Sequence, residues 1–106
     1  MDGIEWSPAE KKIARSAFDR ALERAQARTM AGLKARAASA PTPSDMWAIE
    51  DYLSRARREI DEIFDYRYSR LLLVFAILLR QGHLSEPELA GLSEEKLGFV
   101  RKLLSG

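Results

Sequence analysis

The fold of this chain is decided by residues 46–76, which read MWAIEDYLSRARREIDEIFDYRYSRLLLVFA. In the first part of this stretch, apolar residues follow one another at alternating steps of three and four: Met46, Ile49, Leu53, Ala56, Ile60 and Ile63. This spacing is typical of a helix that packs along another helix at a shallow angle. From Arg70 onward the stretch is apolar on nearly every face, as in a helix that its surroundings enclose. The sequence therefore predicts a long packing stem that leads into the core of a compact head.

The stem helix carries a second stripe, roughly opposite the apolar one. At about 100° per residue its members fall on one side of the helix, and they are Trp47, Glu50, Asp51, Ser54, Arg57 and Arg58. A tryptophan on the charged side of an amphipathic helix would leave a large apolar area in water. Either another segment of the same chain covers Trp47 or a second chain does. Because Trp and Arg are enriched where proteins bind partners, we favour the second explanation and regard this stripe as a partner-binding or dimer interface.

A first helix is indicated upstream of this stretch. Ser7 can cap its free amides, Pro8 suits its first turn, and Glu10 stands where a capping box requires an acid. The helix can run to about Ser39, where two prolines in Pro41–Pro43 stop it. Its apolar stripe is mostly alanine, which favours the close approach of a neighbouring helix. The second helix, from Ser44 to about Phe64, is expected to return antiparallel to the first.

The rest of the chain is also predicted to be helical. A third helix is expected from Asp65 to about Arg80, with Gly82 as its C-cap. A short fourth helix is expected from Ser85 to about Ala90, and a fifth after Ser93, packed on the third. No strand pattern occurs, so the predicted fold is all-α: a long antiparallel helix pair forming a dimeric stem, residues 7–64, plus a small helical head, residues 65–104.

The length of the first helix predicts an oligomer. About 30 residues at 1.5 Å each give roughly 45 Å, whereas a compact domain of this size has a radius of gyration of only about 13 Å. A two-helix arm with one thin seam buries little apolar surface by itself. A symmetric homodimer is the commonest remedy, and we expect one here.

Composition excludes several classes of protein. The chain has no cysteine and one histidine, so thiol chemistry and a multi-histidine metal site are excluded. The longest apolar run, residues 71–79, is less than half of a bilayer span, and the first residues do not resemble a secretory signal. We therefore expect a single soluble, cytoplasmic domain with no membrane insertion.

Catalysis and nucleic-acid binding are not expected either. Acidic side chains on the stem are explained by pairing with an Arg four residues away, and four such pairs are expected: Asp51–Arg55, Arg55–Glu59, Arg57–Asp61 and Arg58–Glu62. Motifs for phosphate binding or nucleophilic attack are missing. His83 is interpreted as a surface or linker histidine. The tail superficially resembles a helix-turn-helix, but Glu94 and Glu95 would face the phosphates and be repelled. A small DNA-binding dimer is therefore the least favoured function, and no catalytic residue, metal or cofactor is assigned.

Taken in order, the motifs of this chain resemble the fluorescence recovery protein family of cyanobacteria. The resemblance rests on Trp6-Ser7 with Glu10, Asp45-Met-Trp47, Asp51-Tyr-Leu-Ser54, Arg57, Glu59-Ile-Asp61, Asp65-Tyr-Arg-Tyr-Ser69, Val74-Phe-Ala76, and Glu88-Leu-Ala-Gly-Leu92 with Lys96-Leu97. It covers nearly the whole chain, and the Asp-Tyr-Arg-Tyr-Ser block followed by Val-Phe-Ala is its most specific part.

This resemblance implies a function as well as a fold. Members of the family are cofactor-free, all-helical homodimers that bind the photoactivated orange carotenoid protein, chiefly its C-terminal domain. They accelerate its return to the inactive orange form and so end energy quenching at the phycobilisome. The resemblance implies that Trp47, Asp51 and Arg57 act at the dimer interface, and that a head surface including Leu73, Phe75 and Phe99 meets the carotenoid protein.

Five features depart from the family pattern. Glu50 replaces a His, Leu73 an aromatic residue, His83 a Trp and Phe99 a Lys. In addition, Glu62-Ile-Phe64 stands where the family usually has a break of the Gly-Lys type. The chain thus resembles a divergent member, for which a source outside the cyanobacteria is one explanation. An adaptor of the same fold with a different client, such as a bacterial sensor or signalling protein, is the alternative function.

Overall fold

Four α-helices and one 3-10 helix make up the computed structural model, which describes residues 5–106. They are α1, Pro8–Ala38; α2, Asp45–Ile63; α3, Leu71–Gln81; the 3-10 helix Glu86–Leu89; and α4, Glu94–Ser105. The helix α1 packs against α2, and α3 packs chiefly against α4. Within residues 5–106 the only β-type pairing is an isolated bridge between Ala90 and Leu92. The all-α prediction is confirmed.

The helix ends follow the capping chemistry of the sequence. Glu10 donates its amide to Ser7 Oγ at 3.1 Å, and Ser7 donates its amide to Glu10 Oε1 at 3.0 Å, which completes the predicted capping box. At the end of α3, Gly82 adopts a left-handed conformation with φ of 81°, as its prediction as a C-cap requires. The predicted ends of the first two helices agree with the structure to within about two residues.

The molecule is elongated because α1 extends beyond the head. Its principal extents are 54 × 26 × 24 Å and its radius of gyration is 16.8 Å, compared with about 13 Å for a compact domain of 100 residues. The projection of a long helix pair from the body, inferred from the length of α1, is therefore confirmed for the single chain.

The hydrophobic core lies entirely at one end of the molecule. The first half of α1 contributes Ala14, Phe18 and Ala21, which join side chains of α3 such as Leu71 and Phe75. From Gln26 to Ala38 α1 has no buried residue, and α2 has none over its whole length. The first half of α1 thus belongs physically to the head, and the second half pairs with α2 in the stem.

The prediction that the third helix begins at Asp65 was wrong, since α3 begins at Leu71. Asp65 accepts two hydrogen bonds from Arg67 Nε, at 2.9 and 3.0 Å, and lies 3.4 Å from Arg70 Nε. The hydrogen bonds from Arg67, followed by the positive charges of both arginines, lower the pKa of Asp65. This ionic turn keeps the backbone out of the helical conformation without a proline or glycine.

Aromatic packing holds the same segment in place. The rings of Phe64 and Tyr66 pack edge-on against Phe18 of α1, with centroids 5.3 and 4.9 Å away. The guanidinium of Arg15 lies 4.5 Å from the centroid of Tyr66. Residues 64–70 therefore form an ordered connection that fixes the stem relative to the head.

The short fourth helix, predicted from Ser85 to about Ala90, is present as the 3-10 helix Glu86–Leu89 and not as an α-helix.

A buried ion pair joins the start of α1 to the start of α4. Glu10 accepts hydrogen bonds from Lys96 Nζ at 3.2 Å and from the amide of Ser93 at 2.9 Å, and Lys96 also donates to the Glu5 carbonyl at 2.6 Å. Both charged side chains are buried. The backbone donors of Ser7 and Ser93 lower the pKa of Glu10 to about 2, and Lys96 assists. Trp6 lies beside this pair, 5.1 Å from the ammonium group.

Candidate protein-binding surfaces

The stem helix α2 is amphipathic but buries no side chain within its own chain. Its apolar seam is only half-buried against α1, and Met46, at the far end of this seam, is 56% exposed. A helix with a pronounced apolar face normally buries that face. The single chain therefore leaves the stem with apolar surface that a partner could cover.

The predicted stripe is present on α2, and all of its members are exposed: Trp47, Glu50, Asp51, Ser54, Arg57 and Arg58. Trp47 is 63% exposed, so no described segment of the chain covers it. Of the two explanations for this tryptophan, coverage by the same chain is thus wrong for the single subunit. The interface role of the six residues stays a prediction.

The ion pairs expected along α2 are mostly not formed. Arg57 lies 4.0 Å from Asp61, but the other three predicted i,i+4 pairs are absent from this fully described helix. Arg55, for example, donates to the backbone carbonyl of Asp51 at 3.4 Å instead. Charged side chains on the stem are therefore available to groups outside the chain.

Of the three residues predicted to form the head surface, two are exposed and one is buried. Leu73 on α3 and Phe99 on α4 are 37% and 45% exposed, as expected for residues that meet a partner. The assignment of Phe75 to this surface was wrong, because Phe75 is completely buried. It lies four residues after Leu71 and three before Leu78, on the face of α3 that forms the core.

Two exposed apolar residues were not identified from the sequence. Met30 on α1 is 52% exposed and Tyr68, before α3, is 39% exposed. Tyr68 stands in an aromatic-rich segment, where burial of the whole set was the simpler expectation. Met30 stands on the charged side of α1, and its exposure could have been predicted from that position.

His83 was interpreted as a surface or linker residue, and the structure corrects half of that interpretation. It lies in the connection after α3 but is buried. Burial, followed by the nearby positive charge of Arg28, lowers the pKa of its imidazole. Its carbonyl accepts a hydrogen bond from Arg24 at 3.0 Å, so the histidine also anchors this connection to α1.

Neither a metal centre nor a membrane span is found in residues 5–106. This part of the chain has no group of three or more His, Cys, Asp or Glu side chains that could hold a metal ion. None of its helices combines the length and the apolar character needed to cross a bilayer.

Comparison with known proteins agrees with this architecture. The chain is 35% identical over 98 residues to the fluorescence recovery protein of Synechocystis sp. (strain ATCC 27184 / PCC 6803 / Kazusa), covering 92% of this chain and 90% of that protein. The structure of the Fremyella diplosiphon fluorescence recovery protein matches with a TM-score of 0.89 and 36% identity, covering 96% of this chain and 100% of that one. The Synechocystis sp. PCC 6803 structure matches with the same TM-score and coverage at 33% identity.

A family model described as photoprotection regulator fluorescence recovery protein matches residues 6–104. This range runs from Trp6, beside the buried ion pair, to the last turn of α4, and so includes both stem and head. The resemblance inferred from short motifs is confirmed over nearly the whole chain. The chain belongs to the fluorescence recovery protein family of photoprotection regulators.

Proposed function

We propose that this photoprotection regulator acts by binding the photoactivated orange carotenoid protein, chiefly its C-terminal domain, and accelerating its return to the inactive orange form. The stem holds two copies together as a homodimer and the head contacts the carotenoid protein. No catalytic group or cofactor is needed, because the regulator accelerates a conformational change in which no covalent bond is made or broken.

The observation that carries the proposed assembly is that α2 buries nothing in its own chain. Family membership supplies the class of function, and α2 supplies a surface on which it can be built. Its exposed stripe includes Trp47, a residue type that is enriched at the centre of protein interfaces. A symmetric dimer would bring two such stripes together, because a two-fold axis pairs the same patch of both subunits.

The proposed action follows from differential binding. A protein that bound the open client and the transition state for closure equally well would leave the recovery rate unchanged. Acceleration requires that the head bind the transition state for closure more tightly than it binds the open form. Leu73 and Phe99 are suited to such contacts, since both expose apolar surface on neighbouring helices of the head.

The test is the dark recovery rate of photoactivated orange carotenoid protein, measured by absorption with and without this protein. We expect acceleration at substoichiometric amounts, and a reduction of that acceleration by tenfold or more in the double variant Leu73→Ser/Phe99→Ser. Glu95→Gln, an exposed change on α4, is the matched control and should act like the wild type. Phe75→Ser is unsuitable, because it would disrupt the core.

A failure would also be informative. If the wild type is a folded dimer but leaves the recovery rate unchanged, the carotenoid protein is not its client. The exposed Leu73 and Phe99, which depart from the family pattern, would then mark a surface adapted to another protein.

A further inference from the structure

An open cleft lies where the stem meets the head. It is bounded by the second half of α1, the C-terminal half of α2 and the end of α3, and its volume is about 490 Å³. Sites for small molecules in proteins usually enclose about 300–1,000 Å³. The cleft is separate from the outward stripe of α2 and from the exposed residues of the head.

Three arginines converge on this cleft: Arg28, Arg36 and Arg55. None of them forms an ion pair with a carboxylate of residues 5–106, whereas most arginines of the head do. The one acidic residue that lines the cleft is Glu59. The cleft therefore has an excess of positive charge that the described chain does not neutralise.

The arginines are held in place by uncharged groups. Arg28 donates to the Gln81 carbonyl at 3.4 Å. Arg36 donates to the Gly32 carbonyl at 3.3 Å, and its guanidinium lies 3.6 Å from the centroid of the Tyr52 ring. These contacts reduce the motion of the side chains but leave their charges available, and an ordered guanidinium loses less entropy when a carboxylate binds.

The remaining wall of the cleft is apolar. Ile60 and Ile63 line it from α2, and Phe64 lines it from the connection to the head. All three are only half-buried, and of these Ile63 and Phe64 pack against the core of the head. A ligand that matches this cleft has an acidic group for the arginines and an apolar body for the isoleucines and the phenylalanine.

We propose that this cleft binds a small amphipathic anion, a carboxylate attached to an apolar chain or ring. The guanidinium groups of Arg28 and Arg55 hold the carboxylate through paired hydrogen bonds, and the apolar body lies along Ile60, Ile63 and Phe64. This inference does not depend on the identity of the client protein. A bound anion would stabilise the angle between stem and head, because it would bridge α1 and α2 beside the connection.

Octanoate is a suitable probe, and the arginine Nε–H signals in proton–nitrogen correlation spectra report its position. We expect saturable shifts of the Arg28 and Arg55 signals with octanoate. Acetate, which has the charge alone, and octanol, which has the apolar chain alone, should bind at least tenfold more weakly. The double variant Arg28→Gln/Arg55→Gln should lose octanoate binding by tenfold or more. Arg20→Gln, a change on α1 outside the cleft, should keep it.

The single histidine gives an independent readout. His83 lines the cleft, and Arg28 is one of the groups that lower its pKa. A bound carboxylate would offset that positive charge, so octanoate should raise the pKa of His83 in the wild type but not in the double variant. The proposal is overturned if octanoate binds no better than acetate or if the double variant binds octanoate as well as the wild type does. It is also overturned if octanoate changes neither the Arg28 and Arg55 signals nor the pKa of His83. Failure of the carotenoid-protein assay would leave this proposal unaffected, because the two readouts are separate.

Discussion

At the scale of single residues, the Glu10–Lys96 pair is a buried ion pair held by several hydrogen bonds. Lys96 and Glu10 are both buried and 3.2 Å apart, and further backbone donors complete the shell of the carboxylate. A buried ion pair adds little over a well-packed apolar pair, but removing one partner is costly since the other charge stays buried. The pair therefore matters most for how α4 is seated on α1.

Replacement of the lysine tests this argument. Lys96→Met keeps the apolar contact with Trp6 but leaves Glu10 without its cation and the Glu5 carbonyl without a donor. We expect the free energy of unfolding to fall by about 2 kcal/mol, as for a buried polar group that loses its partner. Urea unfolding at a fixed protein concentration measures it, and Lys102→Met, exposed on the same helix, should change it by less than about 0.5 kcal/mol. If the two changes lower the free energy of unfolding equally, the buried ion pair contributes no more to stability than an exposed lysine does.

Acid should weaken the fold through the same carboxylate. The pKa of Glu10 is about 2 in the folded chain against an ordinary value of 4.5, so its contribution to stability is complete above pH 4.5 and is lost as the pH falls toward 2. Glu88, hydrogen-bonded chiefly by Arg24, behaves alike with a pKa of about 2. We expect the Tm of the wild type to fall over this interval and that of Glu10→Gln to fall less steeply. In the double variant Glu10→Gln/Glu88→Gln the Tm should depend on pH even less. If the Tm falls equally with pH in the wild type and both variants, these two carboxylates are not the source of the acid sensitivity.

Individual burial was the hardest property to predict from the sequence. The capping roles of Ser7, Glu10 and Gly82 were predictable because they depend on neighbours along the chain. The burial of Phe75 and His83 depends on which face of α3 and of its following connection meets the core. In a helix that is apolar on nearly every side, such as α3, the sequence does not identify the buried face.

At the scale of elements, the close contact of α1 with α2 depends on a glycine. A Cβ placed on Gly32 would overlap with the hydroxyl group of Tyr52. The Tyr52 ring cannot move freely, because its hydroxyl donates to the Thr29 carbonyl at 3.2 Å and Arg36 stacks on it. The alanine-rich stripe of α1 predicted a close helix approach, and Gly32 is a position where α2 leaves no room for a Cβ.

Two glycine replacements should therefore act in opposite directions. Gly98→Ala on α4, where a Cβ meets nothing within 4 Å, should stabilise by up to about 1 kcal/mol through helix propensity alone. Gly32→Ala should destabilise instead, since the clash with Tyr52 outweighs the same gain. In a Tyr52→Ala background, Gly32→Ala should become stabilising. Thermal unfolding of the four variants measures these differences, and a stabilising Gly32→Ala in the wild-type background would contradict the close contact.

The connection between α2 and α3 shows what local pattern could not predict. Residues 64–70 lack Pro and Gly, so helical continuity was the natural expectation from Asp65 onward. The turn is formed by Asp65 with Arg67 and by aromatic contacts with Phe18, which is about 45 residues away along the chain. Contacts of such separation are a tertiary property, and they override the local preference for a helix.

At the scale of the whole molecule, the distribution of buried residues is uneven. The head has a complete core, whereas α2 and the part of α1 from Gln26 to Ala38 bury no residue in the single chain. The seam and the stripe of α2 could both be predicted because they are repeats along one helix. What covers them could not be, because the partner surface lies outside the chain.

This imbalance leads to the final prediction, which concerns the oligomer. Light scattering at micromolar concentration should give twice the chain mass of 12.0 kDa. Trp47→Ala or Asp51→Leu should lower the mass toward one chain without loss of far-UV helicity, because neither side chain is buried in the subunit. Phe99→Ser, on the head, should keep the doubled mass and so separates the two surfaces. A monomeric wild type would show that the long α1–α2 pair is stable alone, and loss of helicity in Trp47→Ala would make this residue part of a core.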